Sequence, residues 1–270
     1  MRRLAALLLC LCALVVPHSR AAAQSQGQAV VVVMGGAPVA AWTPKKAANG
    51  YGWWRADLGV TIATGVSAWA DQLAVQPNAV QATGSAQPVQ TANQVNGQTA
   101  IVFTGSSSQV LSITSFVKAP TDAEWWFVLK STATGSSPFF ETSGAQDYYP
   151  FSNISYPSQD LYMGLSSTLR KTCGNAITDI RSYHVMSVQS SASAWTLWLN
   201  GSQQYTTATN VVGNVSSTAY IGAGTNIGTG YLTGGIAEIW YGRIMSTSDR
   251  AKARAYITKR YGLSLGSSWE

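Results

Sequence analysis

The residues best suited to chemistry in this chain are flat rings rather than acids or bases. Two tryptophan doublets, Trp53-Trp54 and Trp125-Trp126, lie in short apolar runs. Neighbouring residues of an extended strand point to opposite faces, so only one indole of each doublet can enter a core between two sheets. The other must face outward. There it either offers a flat apolar face to the C–H side of a sugar ring or is covered by a long loop or a neighbouring subunit. Trp195 and Trp198 fall on opposite faces of a strand in the same way. A second concentration is the loop-like stretch QDYYPFSNISYPSQD at 146–160, where Tyr148, Tyr149 and Tyr156 occur with Asp147, Asn153, Gln159 and Asp160. Such a loop either places stacking platforms beside hydrogen-bonding groups at the rim of a domain or packs its own tyrosines. The candidate ligand contacts are therefore Trp53, Trp54, Trp125, Trp126, Tyr148, Tyr149, Asn153 and Tyr156.

Bond-breaking chemistry lacks its usual groups. Glycoside hydrolysis normally needs two carboxyls about 5 to 10 Å apart. The close acidic pair Asp122 and Glu124 follows Pro120 and reads as a solvated strand edge. Once a leader is removed, His184 is the only histidine and Cys173 the only cysteine. A serine triad is then possible only through His184, with no Gly-x-Ser-x-Gly elbow, and a monomer cannot assemble the usual zinc site. Asp57, Asp71, Asp147 and Asp160 with main-chain carbonyls could ligate calcium, but no Asp-x-Asp-x-Asp loop is present, and no cofactor is expected.

Positions 1–23 read as a signal peptide: Arg2 and Arg3 precede an apolar run from Leu4 to Val16, then Pro17 and the small-residue exit Ala21-Ala22-Ala23. An N-terminal anchor or buried strand is the other reading of the same run. Export implies a secreted or periplasmic protein with no membrane attachment after cleavage. With one cysteine left, the fold must hold by burial rather than by an internal disulfide. The formal charge of +6 is partly a property of this leader, since without Arg2, Arg3 and Arg20 there are 14 basic residues against 11 acidic. Arg250, Lys252, Arg254, Lys259 and Arg260 read as the solvated face of a helix, so nucleic acid is not an expected partner.

Positions 24–49 contain the β-branched run Val30 to Met34 and then glycines and prolines, which suits a first strand or an arm that docks on another subunit. From position 50 to 266 short alternating or apolar runs recur between turn residues, with Asn200-Gly201 as a type I′ hairpin signal. Helix is expected only at the end. This pattern predicts an all-β fold, a two-sheet antiparallel jelly-roll sandwich with a short C-terminal helix. In the closing strand Ile236, Glu238, Trp240 and Gly242 alternate with Ala237, Ile239, Tyr241 and Arg243. Ser246 then caps a helix whose stripe is Ala253, Ile257 and Tyr261, and Gly262 ends it.

The Gly234-Gly235-Ile236-Ala237-Glu238-Ile239 strand, with its Ser-capped helix ending Lys259-Arg260-Tyr261-Gly262-Leu263, resembles the closing segment of concanavalin A-like lectin/glucanase domains of the laminin-G-like kind. Trp54-Arg55-Ala56-Asp57, Val66 to Asp71, and Asn96-Gly97 with Ala100 to Phe103 are similar to the opening pattern of that family. Trp195 to Gly201 is similar to its central hairpin. The resemblance spans about Gly52 to Leu265 and implies a jelly roll with a tendency to bind glycans, without by itself implying an activity. The Glu-x-Asp-x-x-Glu string of the glucanase members is absent, and Glu238 falls where the family carries a structural, partly buried carboxylate. The expected function is a secreted, non-catalytic, lectin-like module that holds a glycan or cell-surface polysaccharide by exposed aromatics. A structural alternative is a phage virion decoration, fibre or adhesion module whose arm makes a homo-oligomer or meets a virion partner. A third is a polysaccharide hydrolase or lyase with an atypical site.

Overall fold

Short β-branched and aromatic runs separated by Gly, Asn and Pro turns become strands in the computed structural model, which describes residues 41–119, 121–133, 135, 137–141, 156–213, 218–224 and 230–269. In chain order these are β1 (Gly50–Arg55), β2 (Val60–Ile62), β3 (Val66–Trp69), β4 (Ala79–Val80), β5 (Val89–Val95) and β6 (Gln98–Phe103). They continue with β7 (Leu111–Thr114), β8 (Ala123–Ser131), β9 (Phe140–Glu141), β10 (Asp160–Met163) and β11 (Lys171–Asn175). The last are β12 (His184–Ser191), β13 (Ala194–Leu199), β14 (Ser202–Thr207), β15 (Thr218–Ile221) and β16 (Gly234–Gly242), followed by helix α1 (Thr247–Tyr261). No helix among the described residues is long and apolar enough to cross a membrane.

The strands form an antiparallel sandwich. The larger sheet runs β14-β13-β12-β8-β16-β6-β5, with β1 also paired to β16, and the smaller runs β2-β3-β4-β7-β15-β9. A separate hairpin joins β10 to β11. Between the sheets lies a core of Trp54, Phe103, Trp125, Phe127, Leu197 and Ile239 from the large sheet against Trp69, Leu111, Ile113, Phe140 and Ile221 from the small one. The outer face of the large sheet is apolar as well: Trp53, Trp126, Val128, Trp198 and Trp240 meet Ala253, Ile257 and Tyr261 of α1 and the C-terminal Trp269. The described residues thus form three layers, small sheet, large sheet and helix.

Local chemistry explains the turns and caps. Asn200 and Gly201 take φ of 47° and 73°, and Asn96 and Gly97 take 46° and 74°, the left-handed pair that a type I′ hairpin requires. Ser246 Oγ accepts from the Asp249 amide at 3.1 Å, and Gly262 at φ 67° donates to Thr258 O at 3.0 Å.

Two sequence expectations are corrected here. Strict alternation fails in β16, because its register with β8 shifts between Ile236 and Glu238. Ile236, Ile239 and Tyr241 face the inter-sheet core, whereas Ala237 and Trp240 face the helix. On its other edge, Ala237 O accepts the Ala56 amide at 2.9 Å, which extends the β1–β16 pairing past Arg55. Nor is Asp122 with Glu124 a solvated edge. Strand β8 sits in the middle of the sheet and α1 crosses its first residues, so Glu124 is fully buried, with Arg250 Nε and Nη2 donating to its two oxygens at 3.1 Å each. Arg250 consequently leaves the solvated helix face and joins the buried one. Asp122 instead accepts from Arg243 Nη2 at 2.8 Å and the Ile244 amide at 3.0 Å.

Removing one partner of a buried ion pair strands the other charge, which costs about 3–5 kcal/mol. Arg250→Leu is therefore expected to lower the unfolding free energy by that amount in urea titration. Glu124→Gln combined with Arg250→Met should recover most of it; a double variant as unstable as the single would show that packing rather than charge is lost.

Candidate functional site

The structure separates the sequence candidates into covered rings and an exposed loop residue. Parity is as expected: Trp54 and Trp125 enter the inter-sheet core while Trp53 and Trp126 point the other way. Exposure is not, since the outward pair lies under α1 and its flanking residues, and all four indoles are 4% exposed or less. Trp53, Trp54, Trp125 and Trp126 therefore offer no open face to a sugar ring. Trp125 is stacked on Tyr241 at 3.9 Å between centroids, and its Nε1 donates to Ser166 Oγ at 2.9 Å. Tyr148, Tyr149 and Asn153 lie outside the described residues. Tyr156 is exposed, its hydroxyl 3.5 Å from Ile177 O.

Beneath α1 the outward Trp53 has a polar purpose. Its Nε1 donates to Glu238 Oε1 at 2.5 Å, Tyr256 OH lies 3.0 and 3.1 Å from the two carboxylate oxygens, and Tyr261 OH donates to Oε2. Glu238 is fully buried, more so than the sequence reading of a partly buried carboxylate. Burial pushes its pKa up to about 7, against the pull of the Tyr261 and Trp53 hydrogen bonds and the charges of Arg260 and Arg55. Sealed from solvent and surrounded by donors, this carboxyl ties β1, β16 and α1 together.

The other side of Tyr256 borders a groove of about 520 Å³. Its walls come from three separate parts of the chain: Ala41, Trp42 and Thr43; Asn96 and Gln98 at the β5–β6 turn; and Lys252, Ala255, Tyr256, Lys259 and Arg260 of α1. Trp42 and Tyr256 meet edge to face at 5.9 Å and 68°. Asn96 Nδ2 donates to Arg260 O at 3.0 Å, fastening the hairpin to the last turn of the helix. The volume falls within the range of about 300 to 1,000 Å³ common for small-ligand sites. Two rings, two amides and a set of cations make up its chemistry, and none of its lining residues is acidic.

The remaining acids with described partners are engaged elsewhere. Asp71 accepts the amides of Trp53, Leu73, Val75 and Gln76 at 2.7 to 3.0 Å, so its oxygens face donors and not a cation. Asp57 accepts from Arg55 Nε and Arg260 Nη2, each at 2.7 Å. Among the described residues there is no group of three or more His, Cys, Asp or Glu side chains able to hold a metal. His184 is buried with Nδ1 2.9 Å from Ser182 O, and burial drives its pKa down to about 4. A buried polar cluster also joins Lys171 Nζ to Ser167 Oγ, Leu169 O at 2.7 Å and Asn210 Oδ1 at 2.8 Å, holding the β10–β11 hairpin region against the 207–213 segment.

No family model matches the chain, and no curated protein matches it. Solved structures do share its fold. Domain 4 of AbnA, a GH43 extracellular arabinanase from Geobacillus stearothermophilus, in complex with arabinotriose, is 12% identical with a TM-score of 0.51, over 77% of this chain and 98% of that one. The binding domain of Paraclostridial Mosquitocidal Protein 1 is 8% identical with a TM-score of 0.52, over 80% of this chain and 53% of that one. The chain thus spans about half the length of the toxin domain it matches. At these identities the likeness is one of fold, the β-sandwich.

The buried carboxyl makes a pH dependence. An acid whose folded pKa lies above its unfolded value binds its proton more tightly when folded, so its stabilisation is full below about pH 4.5 and is lost as the pH rises through about 7. Relative to Glu238→Gln, the native chain should lose unfolding free energy across that window by up to about 1.4 kcal/mol per pH unit and then level off. His184, depressed by burial, contributes the opposite trend but is common to both proteins and cancels. A difference that stays flat with pH would show that Glu238 ionises as if exposed.

Proposed function

We propose that this chain is a secreted, non-catalytic carbohydrate-binding module of the concanavalin A-like kind, and that the groove between α1, the β5–β6 turn and Trp42 is its saccharide site. The observation that carries the proposal is the pairing of two aromatic rings, Trp42 and Tyr256, with the amides of Asn96 and Gln98 around one cavity of about 520 Å³. Rings take the C–H face of a pyranose or furanose, and amides read its hydroxyls. Tyr256 is held in place by Glu238, so one platform is set before the ligand arrives. The sandwich fold shared with an arabinanase domain seen with arabinotriose supports the same reading. Exposed Tyr156 is proposed as a second contact, together with Tyr148, Tyr149 and Asn153 of the same sequence stretch.

Affinity electrophoresis on a panel of plant and bacterial polysaccharides tests the assignment. Trp42→Ala should weaken binding about tenfold or more, equivalent to about 1.4 kcal/mol. Because Trp42 also packs against the outer core, Gln98→Ala serves as the milder variant, expected to weaken binding with an unchanged melting profile. Retention that persists in the Trp42→Ala, Gln98→Ala double variant would remove the site from this groove. Tyr156→Ala should lower retention further only if the loop contributes.

A further inference from the structure

The groove is cationic in an uneven way. Lys252, Lys259 and Arg260 border it and no Asp or Glu does. Two of these cations are balanced from outside it: Lys252 Nζ sits 3.1 Å from Asp249 Oδ1, and Arg260 Nη2 sits 2.7 Å from Asp57 Oδ2. Lys259 is exposed and makes no ion pair with a described residue. One ammonium with no ion-pair partner among the described residues therefore stands beside two aromatic platforms and two amides. A stripe of free cations, as a nucleic-acid backbone would need, is not formed, because Arg250 is spent on Glu124 and Arg260 on Asp57.

Resting on the carbohydrate-binding proposal, we infer that the groove selects acidic saccharides, with Lys259 as the specificity-determining residue that meets a carboxylate or sulfate on the bound sugar. Trp42 and Tyr256 hold the ring face whatever the charge; Lys259 separates acidic from neutral sugars. Lys259 is exposed, so screening by water keeps its pairing with a sugar anion modest, and the expected preference is about tenfold, equivalent to about 1.4 kcal/mol.

The test measures the affinity of the full chain for two matched pairs: polygalacturonate with its methyl-esterified form, and a sulfated galactan with its desulfated form. The acidic member of at least one pair should bind about tenfold tighter than its neutral partner, and the pair that responds tells carboxylate from sulfate. Raising NaCl from about 20 to about 300 mM should erode that preference, since screening shortens the reach of an exposed charge to under about 10 Å. Lys259→Gln should abolish the preference by lowering acidic binding to the neutral level, while Lys259→Arg retains it. Equal binding within both pairs, with Trp42→Ala still weakening all of it, would overturn charge selection and leave the saccharide site standing. An acidic preference that survives Lys259→Gln would place the anion elsewhere and overturn the inference. No retention on any of these polymers or on the wider panel would overturn the carbohydrate reading itself, and this inference with it.

Discussion

The structure depends on covering a sheet that is apolar on both faces. Strands β8, β12, β13 and β16 carry large side chains inward and outward alike, so the small sheet satisfies only half of them. The other half is left to α1 and the residues after it. That helix is 15 residues long and presents a stripe one residue wide, too little to be stable alone in water and too narrow to be placed by apolar contact alone. Its position is set instead by two buried carboxylates of the sheet. Glu124 receives Arg250 on the first turn, and Glu238 receives Tyr256 and Tyr261 on the later turns. Hydrophobic burial supplies the favourable free energy, about 1.5–3 kcal/mol for each large side chain, and the polar contacts choose the register.

Much of this was legible from the sequence because its signals are local. The Asn200-Gly201 type I′ pair, the Ser246 cap, the Gly262 stop and the Ala253–Ile257–Tyr261 stripe each depend on a few neighbouring residues, and all stand where expected. What was not legible depends on partners far along the chain. Strand β5 reads VQTANQV and is largely exposed, so it lacks an apolar rhythm and is recognised only by its pairing with β6. Strand β11, KTCGN, includes Gly174 at φ 72° and pairs only with β10. The bulge in β16 adds a single residue and inverts the alternation beyond it, and Asp122 and Glu124 differ because one meets Arg243 at the strand entrance while the other lies under the helix.

The tryptophan doublets show where the candidate site was misread. Alternation correctly divides Trp53 from Trp54 and Trp125 from Trp126 between two faces, but a face is a site only if nothing lies on it. Both the stripe of α1 and the outward indoles were visible in the sequence, and each needs a cover. They satisfy one another. The groove residues, by contrast, come from positions 42, 96–98 and 252–260, which no spacing rule connects. The signal that pointed to them was weak: Tyr256 lies one position off the buried stripe, where a helix side chain has one edge on the core and the other in solvent.

That intermediate position links the clamp to the groove. Tyr256 reaches Glu238 with its hydroxyl and borders the groove with its ring, so the buried carboxylate that places the helix also fixes a wall of the candidate site. A wall built this way loses little conformational freedom on binding, and the ordering cost that side chains usually incur at a binding surface, about 0.5–1.5 kcal/mol each, is already met by the fold. Lys259, one turn away at i+3, is exposed and has no such anchor among the described residues. On the proposed reading, a platform ordered by the fold beside an exposed charge would recognise the general shape of a sugar ring first and its substituent second. A single groove of this kind binds weakly, and tight adhesion to a polysaccharide then requires several copies acting on one polymer, where effective concentration raises avidity without any new contact.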